Sequence, residues 1–198
     1  MRHQLLNRLR DRLEVAFLAT GKAFARLNLS PTSWTIVGVA LAVLSGLSYG
    51  RGARSFELLG GIFLLSSGAF DIVDGAVARA TGRVSVQGGF LDSTLDRVAE
   101  LVVFIGIAAG GFADPIWCVM AVGLSLLVSY ARAKGDSLGI DLAGVGIGER
   151  SERILVLGIA SIAGVTVYGV FALALLAGVT FAERVVRAYV MLGRKHQP

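Results

Sequence analysis

From 154 to 182 the chain carries no charged residue, a run too long for one membrane-spanning helix of about 20 residues and too apolar for a soluble surface. Uncharged runs also cover 34–50, 58–70 and 115–131. With 55% hydrophobic residues, 17% charged and a mean hydropathy of +0.71, the chain falls in the polytopic membrane class. The expected fold is therefore an all-α integral membrane protein. Splitting the long run near Val167-Tyr168-Gly169 gives six transmembrane helices: 34–50, 58–70 leading into a polar motif, about 91–109, 115–131, and two from 154 to about 192. Residues 4–27 place Leu6, Leu9, Leu13, Phe17, Phe24 and Leu27 on one stripe among Arg8, Arg10, Arg12, Lys22 and Arg26, the pattern of an amphipathic interfacial helix. Ser30-Pro31 ends it. Two parts are expected, the interfacial helix over 1–30 and the six-helix membrane domain over 31–198. With no cleavable leader pattern at the N-terminus, insertion is expected to rely on the first span. The one cysteine, Cys118, excludes an intramolecular disulfide and a cysteine-based zinc site.

Against that apolar background stand Asp71, Asp74, Asp92 and Asp96. A carboxylate in or at the edge of hydrocarbon costs several kcal/mol unless a cation or polar cavity compensates, so four together define a functional site. Asp71 and Asp74 are spaced i, i+3 and Asp92 and Asp96 i, i+4, which puts each pair on one helix face. Two such helices facing one another aim four carboxylates at one point. Like charges so placed call for one or two hard divalent cations with oxygen ligands, Mg2+ or Mn2+.

All of the 19 lysines and arginines except Arg51 and Arg54 fall on one side of the six-span division. By the positive-inside pattern, both termini and the aspartates face the cytoplasm of a multi-pass cell-membrane protein. Part of the basic excess can also serve membrane lipids or an anionic substrate; no nucleic-acid partner is expected. A carboxylate-held metal at this edge suits a phosphate-bearing substrate, because divalent ions bridge phosphoryl oxygens. No glycine-rich loop followed by Lys-Ser/Thr is present, which disfavours ATP or GTP hydrolysis.

The residues Asp71, Asp74, Gly75, Ala78, Arg79, Gly88, Asp92 and Asp96 fill every fixed position of D-x-x-D-G-x-x-A-R, eight residues, then G-x-x-x-D-x-x-x-D. In this the chain resembles the CDP-alcohol phosphotransferases. The resemblance implies an interfacial helix with six membrane helices, a homodimer, a CDP-lipid donor and two divalent ions. It implies a metal set of Asp71, Asp74, Asp92 and Asp96, the first three holding metal against the CDP pyrophosphate. Asp96, also close to the metals, would take the acceptor hydroxyl proton before attack on the lipid-side phosphorus releases CMP. Gly75 and Ala78 would let the nucleotide approach the helix, Arg79 would offer a fork to a phosphate, and Gly88 would also contact the nucleotide; Gly88 and Gly89 read equally as ordinary turn residues that touch no ligand. The family's Pro-Asn-x-x-Thr segment reads Pro31-Thr32-Ser33-Trp34-Thr35 here; Thr35 matches, as a nucleotide contact, and the asparagine does not.

Basic residues in 129–134 and 148–153 favour a phosphorylated small polyol as acceptor, since a neutral alcohol needs no such cluster. The two segments resemble those of the prokaryotic phosphatidylinositol-phosphate and archaetidylinositol-phosphate synthases. That resemblance implies inositol 1-phosphate, with Ser129, Arg132, Arg153 and Arg184 gripping its phosphate. Glycerol 3-phosphate remains an alternative, charge being the same. A transporter with intramembrane aspartates is an alternative of another class, disfavoured because the charges gather at one end and no inverted repeat is evident.

Overall fold

The computed structural model describes residues 19–195, all of whose regular structure is helical. A short helix α1 (19–25) precedes α2 (Pro31–Tyr49), α3 (Arg54–Ala80), α4 (Val86–Ala109), α5 (Pro115–Ser137), α6 (Arg150–Ala163) and α7 (Thr166–Lys195). The amphipathic helix expected over 4–27 lies outside the described residues except for 19–27. Helices α2, α3, α5 and α7 are long and apolar enough to cross a membrane. Among the described residues α4 and α6 do not meet that measure. Asp92, Asp96, Arg97 and Glu100 charge α4, and the 14 residues of α6 rise only about 21 Å. The protein is a membrane protein built of helices.

Local chemistry sets the helix limits. At α2, Ser30 Oγ accepts the Ser33 N–H at 3.1 Å, and Pro31 occupies the first helical position, where its missing N–H is not needed. The motif helix was expected to continue the run over 58–70, and α3 does so as one 27-residue helix through Asp71 and Asp74. Two expectations are corrected. Helix α4 begins at Val86, not near 91, because Ser85 caps it: its Oγ accepts the Gly88 N–H at 3.0 Å. Gly88 is thus a first-turn helical residue, not a turn glycine. The last two helices separate at Gly164-Val165, not at 167–169. Gly164 takes φ +74 and its N–H and that of Val165 return to the carbonyls of Ser161 and Ala160, a glycine-closed helix end.

The described residues divide into two units, one formed by those up to Leu41 with Ser66–Val98, the other by Ala42–Leu65 with those from Ala99 onward. In the first, Trp34, Val73 and Val77 form a small core with Phe24 and Phe70. Trp34 stacks on Phe70 at 5.7 Å and Phe24 meets Trp34 edge-on at 5.1 Å. Gly21 lets α1 lie against the Ala76 carbonyl of α3, where a Cβ would clash.

The second unit holds the larger core, including Tyr49, Phe104, Ile107, Cys118, Leu157 and Leu173. Cys118 is therefore a packing residue. Gly106 faces the Gly46 carbonyl so closely that neither position has room for a Cβ, the close approach that small residues give membrane helices. Near the α6–α7 turn a buried carboxylate acts as a clasp. Glu57 accepts Thr166 Oγ1 at 2.7 Å and Arg54 Nη1 at 2.6 Å, while Arg54 Nη2 reaches the Ala163 carbonyl at 3.0 Å.

Candidate metal centre and substrate cleft

Helix periodicity brings Asp71 and Asp74 to one face of α3, and the Ser85 cap starts α4 early enough to present Asp92 beside them. Oxygens of the three carboxylates lie within 4.8 Å of one another. Asp74 is buried and the other two are half-buried. A single hard cation with ligand oxygens at about 2.0–2.6 Å spans such separations and would offset the repulsion among three carboxylates in that space. The donor set, oxygen alone, suits Mg2+ or Mn2+ over softer metals.

Asp74 is held from the side. Thr35 Oγ1 donates to its Oδ2 at 2.7 Å, and Thr35 is itself placed by the neighbouring Trp34 in the aromatic core. A cleft of about 180 Å³ opens beside the carboxylates. Thr35, Asp74, Gly75, Ala78, Gly88 and Asp92 line it, so six of the expected site residues converge there. At Gly88 a Cβ would come within 2.9 Å of Ser85 Oγ and disturb the cap. Thr32, Arg83 and Ser85 also line the cleft. They were not among the expected site residues, although Arg83 and Ser85 sit in the spacer between the two halves of the motif, the stretch a returning chain would bring over the aspartates.

Three motif residues stand outside the cleft lining: Asp71, which belongs to the three-carboxylate group, Arg79 and Asp96. Arg79 is exposed, with Nε donating to the Gly75 carbonyl at 3.4 Å. Asp96, one turn beyond Asp92, is buried outside the three-carboxylate group; its Oδ2 lies 3.3 Å from Arg97 Nη1.

The residues expected at the acceptor belong to the second unit. Arg184 and Arg153 are 3% and 1% exposed, and both point into the connection between α5 and α6. Arg184 donates to the carbonyls of Val145 and Val128 at 3.0 and 2.9 Å and to Glu149 Oε1 at 3.3 Å. Arg153 donates to the Gly148 carbonyl at 2.6 Å and to Glu100 Oε1 at 3.4 Å. Ser125 Oγ donates to the same Glu100 oxygen at 2.6 Å. Ser129 bonds back to the Ser125 carbonyl at 3.3 Å, and Arg132 is exposed. Arg153 and Arg184 thus brace a loop in this structure, a duty that a count of basic residues does not reveal.

The family model for CDP-alcohol phosphatidyltransferases matches residues 28–192, which includes every helix from α2 to α6 and nearly all of α7. The chain belongs to this family. This CDP-alcohol phosphatidyltransferase is 37% identical to the archaetidylinositol phosphate synthase of Pyrococcus horikoshii over 93% of its own length and 96% of that protein's. Its fold is similar to that of Mycobacterium tuberculosis phosphatidylinositol phosphate synthase. The crystal structure of that enzyme with CDP-DAG bound matches with a TM-score of 0.74, at 23% identity, over 87% of this chain and 93% of the other. The structure of the same enzyme with manganese and citrate matches with a TM-score of 0.73, at 24% identity, over 87% and 88%. The protein is accordingly a membrane-bound, divalent-metal-using transferase of phospholipid synthesis, working on a CDP-lipid donor and a phosphorylated alcohol.

Proposed function

We propose that the protein transfers the phosphatidyl-type group of CDP-diacylglycerol or CDP-archaeol to inositol 1-phosphate and releases CMP. The observation that carries this is the convergence of Asp71, Asp74 and Asp92 beside a cleft floored by Gly75 and Ala78, in a chain similar end to end to an archaetidylinositol phosphate synthase. The name of the M. tuberculosis relative supports the same acceptor and a CDP-linked diacylglycerol donor.

In this reading Asp71, Asp74 and Asp92 hold two Mg2+ or Mn2+ ions, which supply charge neutralisation for the donor pyrophosphate and for the leaving phosphate. The chain's own residues do the rest. Gly75, Ala78 and Gly88 leave room for the nucleotide, with Arg79 and Thr35 at its edge. Asp96 takes the proton from the acceptor hydroxyl as the new O–P bond forms at the lipid-side phosphorus. The bond from that phosphorus to the CMP oxygen breaks, and CMP leaves with the electron pair. Burial keeps the Asp96 carboxylate in a fixed place, and a base within hydrogen-bond reach is what this step requires. Ser129, Arg132, Arg153 and Arg184 supply the positive field for the acceptor phosphate, with exposed Arg132 the residue most able to touch it.

The same reading makes the six helices from α2 to α7 membrane-spanning, α4 and the short α6 included, with an interfacial helix over 1–30 and the catalytic domain over 31–198. It puts both termini and the aspartates on the cytoplasmic side, in agreement with Arg51 and Arg54 being alone on the other, and it makes the protein a homodimer. CMP release from purified protein with CDP-lipid and Mg2+ tests it. Release is expected with inositol 1-phosphate and not with free inositol or serine. Release with glycerol 3-phosphate instead would overturn the acceptor, and solute transport without CDP-lipid would overturn the enzyme.

A further inference from the structure

We infer that Thr35 is a positioning residue for the metal ligand Asp74, fixing the rotation of its carboxylate, and does not spend its hydroxyl hydrogen on the nucleotide. The inference rests on the metal reading of the three aspartates. A carboxylate turns about its last bond in a broad, two-fold well, so an unheld aspartate samples many orientations. Thr35 Oγ1 stands 2.7 Å from Asp74 Oδ2, with Thr35 8% and Asp74 7% exposed. A helical threonine has a standing alternative, the carbonyl four residues back. Here that is Pro31, and its oxygen is 3.4 Å away. The hydroxyl has one hydrogen, and the shorter bond to a charged acceptor takes it.

The consequence is directional. With Oδ2 engaged by Thr35, the rotation of the carboxylate is set relative to Asp71 and Asp92, whose oxygens lie within 4.8 Å of one from Asp74. Thr35 lines the cleft as well, but toward a ligand there it offers only lone pairs. The hydroxyl's partner lies 39 residues away on another helix, so the link has no local sequence signature.

The test is Mn2+ binding to purified wild type, Thr35→Val, Thr35→Ser and Asp74→Asn, followed by the electron paramagnetic resonance of free Mn2+, with no donor present. Thr35→Val is expected to bind about 10-fold more weakly and Thr35→Ser within about two-fold of wild type, the range seen when a ligand's supporting hydrogen bond is lost or kept. Raising Mn2+ should then restore turnover of Thr35→Val. Wild-type affinity in Thr35→Val overturns the inference, and so does a loss in Thr35→Ser equal to that in Thr35→Val, which would assign the effect to packing of the methyl. Equal, weak uptake by wild type and Asp74→Asn would instead remove the metal reading itself.

Discussion

Replacing Arg153 by alanine separates two duties that its position leaves in competition, bracing the α5–α6 connection and gripping an acceptor phosphate. The side chain is 1% exposed, with Nη1 at 2.6 Å from the Gly148 carbonyl and Nη2 at 3.4 Å from Glu100. In Arg153→Ala, Glu100 keeps Ser125 but loses its cation, and breaking a buried pair from one side costs about 3–5 kcal/mol. The Gly148 carbonyl loses a donor as well, a cost that overlaps the first because the loop relaxes, so the net loss is taken as about 4 kcal/mol. At about 2–4 °C per kcal/mol for a chain of this length, Tm in detergent should fall by roughly 10 °C. Glu100→Gln combined with Arg153→Ala should cost less than the two changes added, since each alone strands the other's partner. Thermal unfolding, with and without inositol 1-phosphate, is the assay. A Tm within about 2 °C of wild type, together with an acceptor KM raised more than about 10-fold, would refute the bracing argument and make Arg153 a ligand clamp.

Asp96→Asn should lower kcat by about 10²–10⁴-fold while leaving Mn2+ binding near wild type; near-normal turnover would remove Asp96 as the base. Gly106→Ala should destabilise by about 1–3 kcal/mol, because its methyl meets the Gly46 carbonyl. Gly123→Ala, with open space around the new Cβ, should be neutral or stabilising by up to about 1 kcal/mol, and parallel melting curves compare the two. Glu57→Gln exchanges charge-assisted bonds from Arg54 for neutral ones and should cost about 2 kcal/mol in the same melts, with kcat at saturating substrates unchanged.

The residues that a reader of the sequence could place are those whose information is local. Asp71 and Asp74 share a helix face by spacing alone, and the cost of charge in an apolar chain marks them as a site. The convergence of Asp92 with them needed only a second helix, which the pattern supplied. The start of that helix was misplaced because Gly88-Gly89 reads as a turn until Ser85 is seen to cap it. The α6–α7 break was put too late for a related reason: Gly164 is one of several glycines in an uncharged run, and only its left-handed φ distinguishes it. Thr35, Arg153 and Arg184 were singled out as residues, but their partners lie 39, 53 and 35 residues away, and such long-range bonds leave no periodic trace. Whether a basic side chain points into a cleft or into its own loop is decided by packing, which composition does not encode.

Glu149 is tied in three directions, accepting two bonds and donating one. Its Oε1 accepts the Gly144 N–H at 3.0 Å and Arg184 Nη2 at 3.3 Å, and its own N–H donates to Glu152 Oε2 at 2.7 Å in the first turn of α6. Gly148 adds a fourth tie through its N–H to Thr180 Oγ1 at 2.9 Å. One residue thus links the connection to the beginning of one helix and the middle of another. Amide protons at 144, 148 and 149 should therefore exchange with solvent at a common rate, set by a single opening event of the whole segment and not by fraying residue by residue.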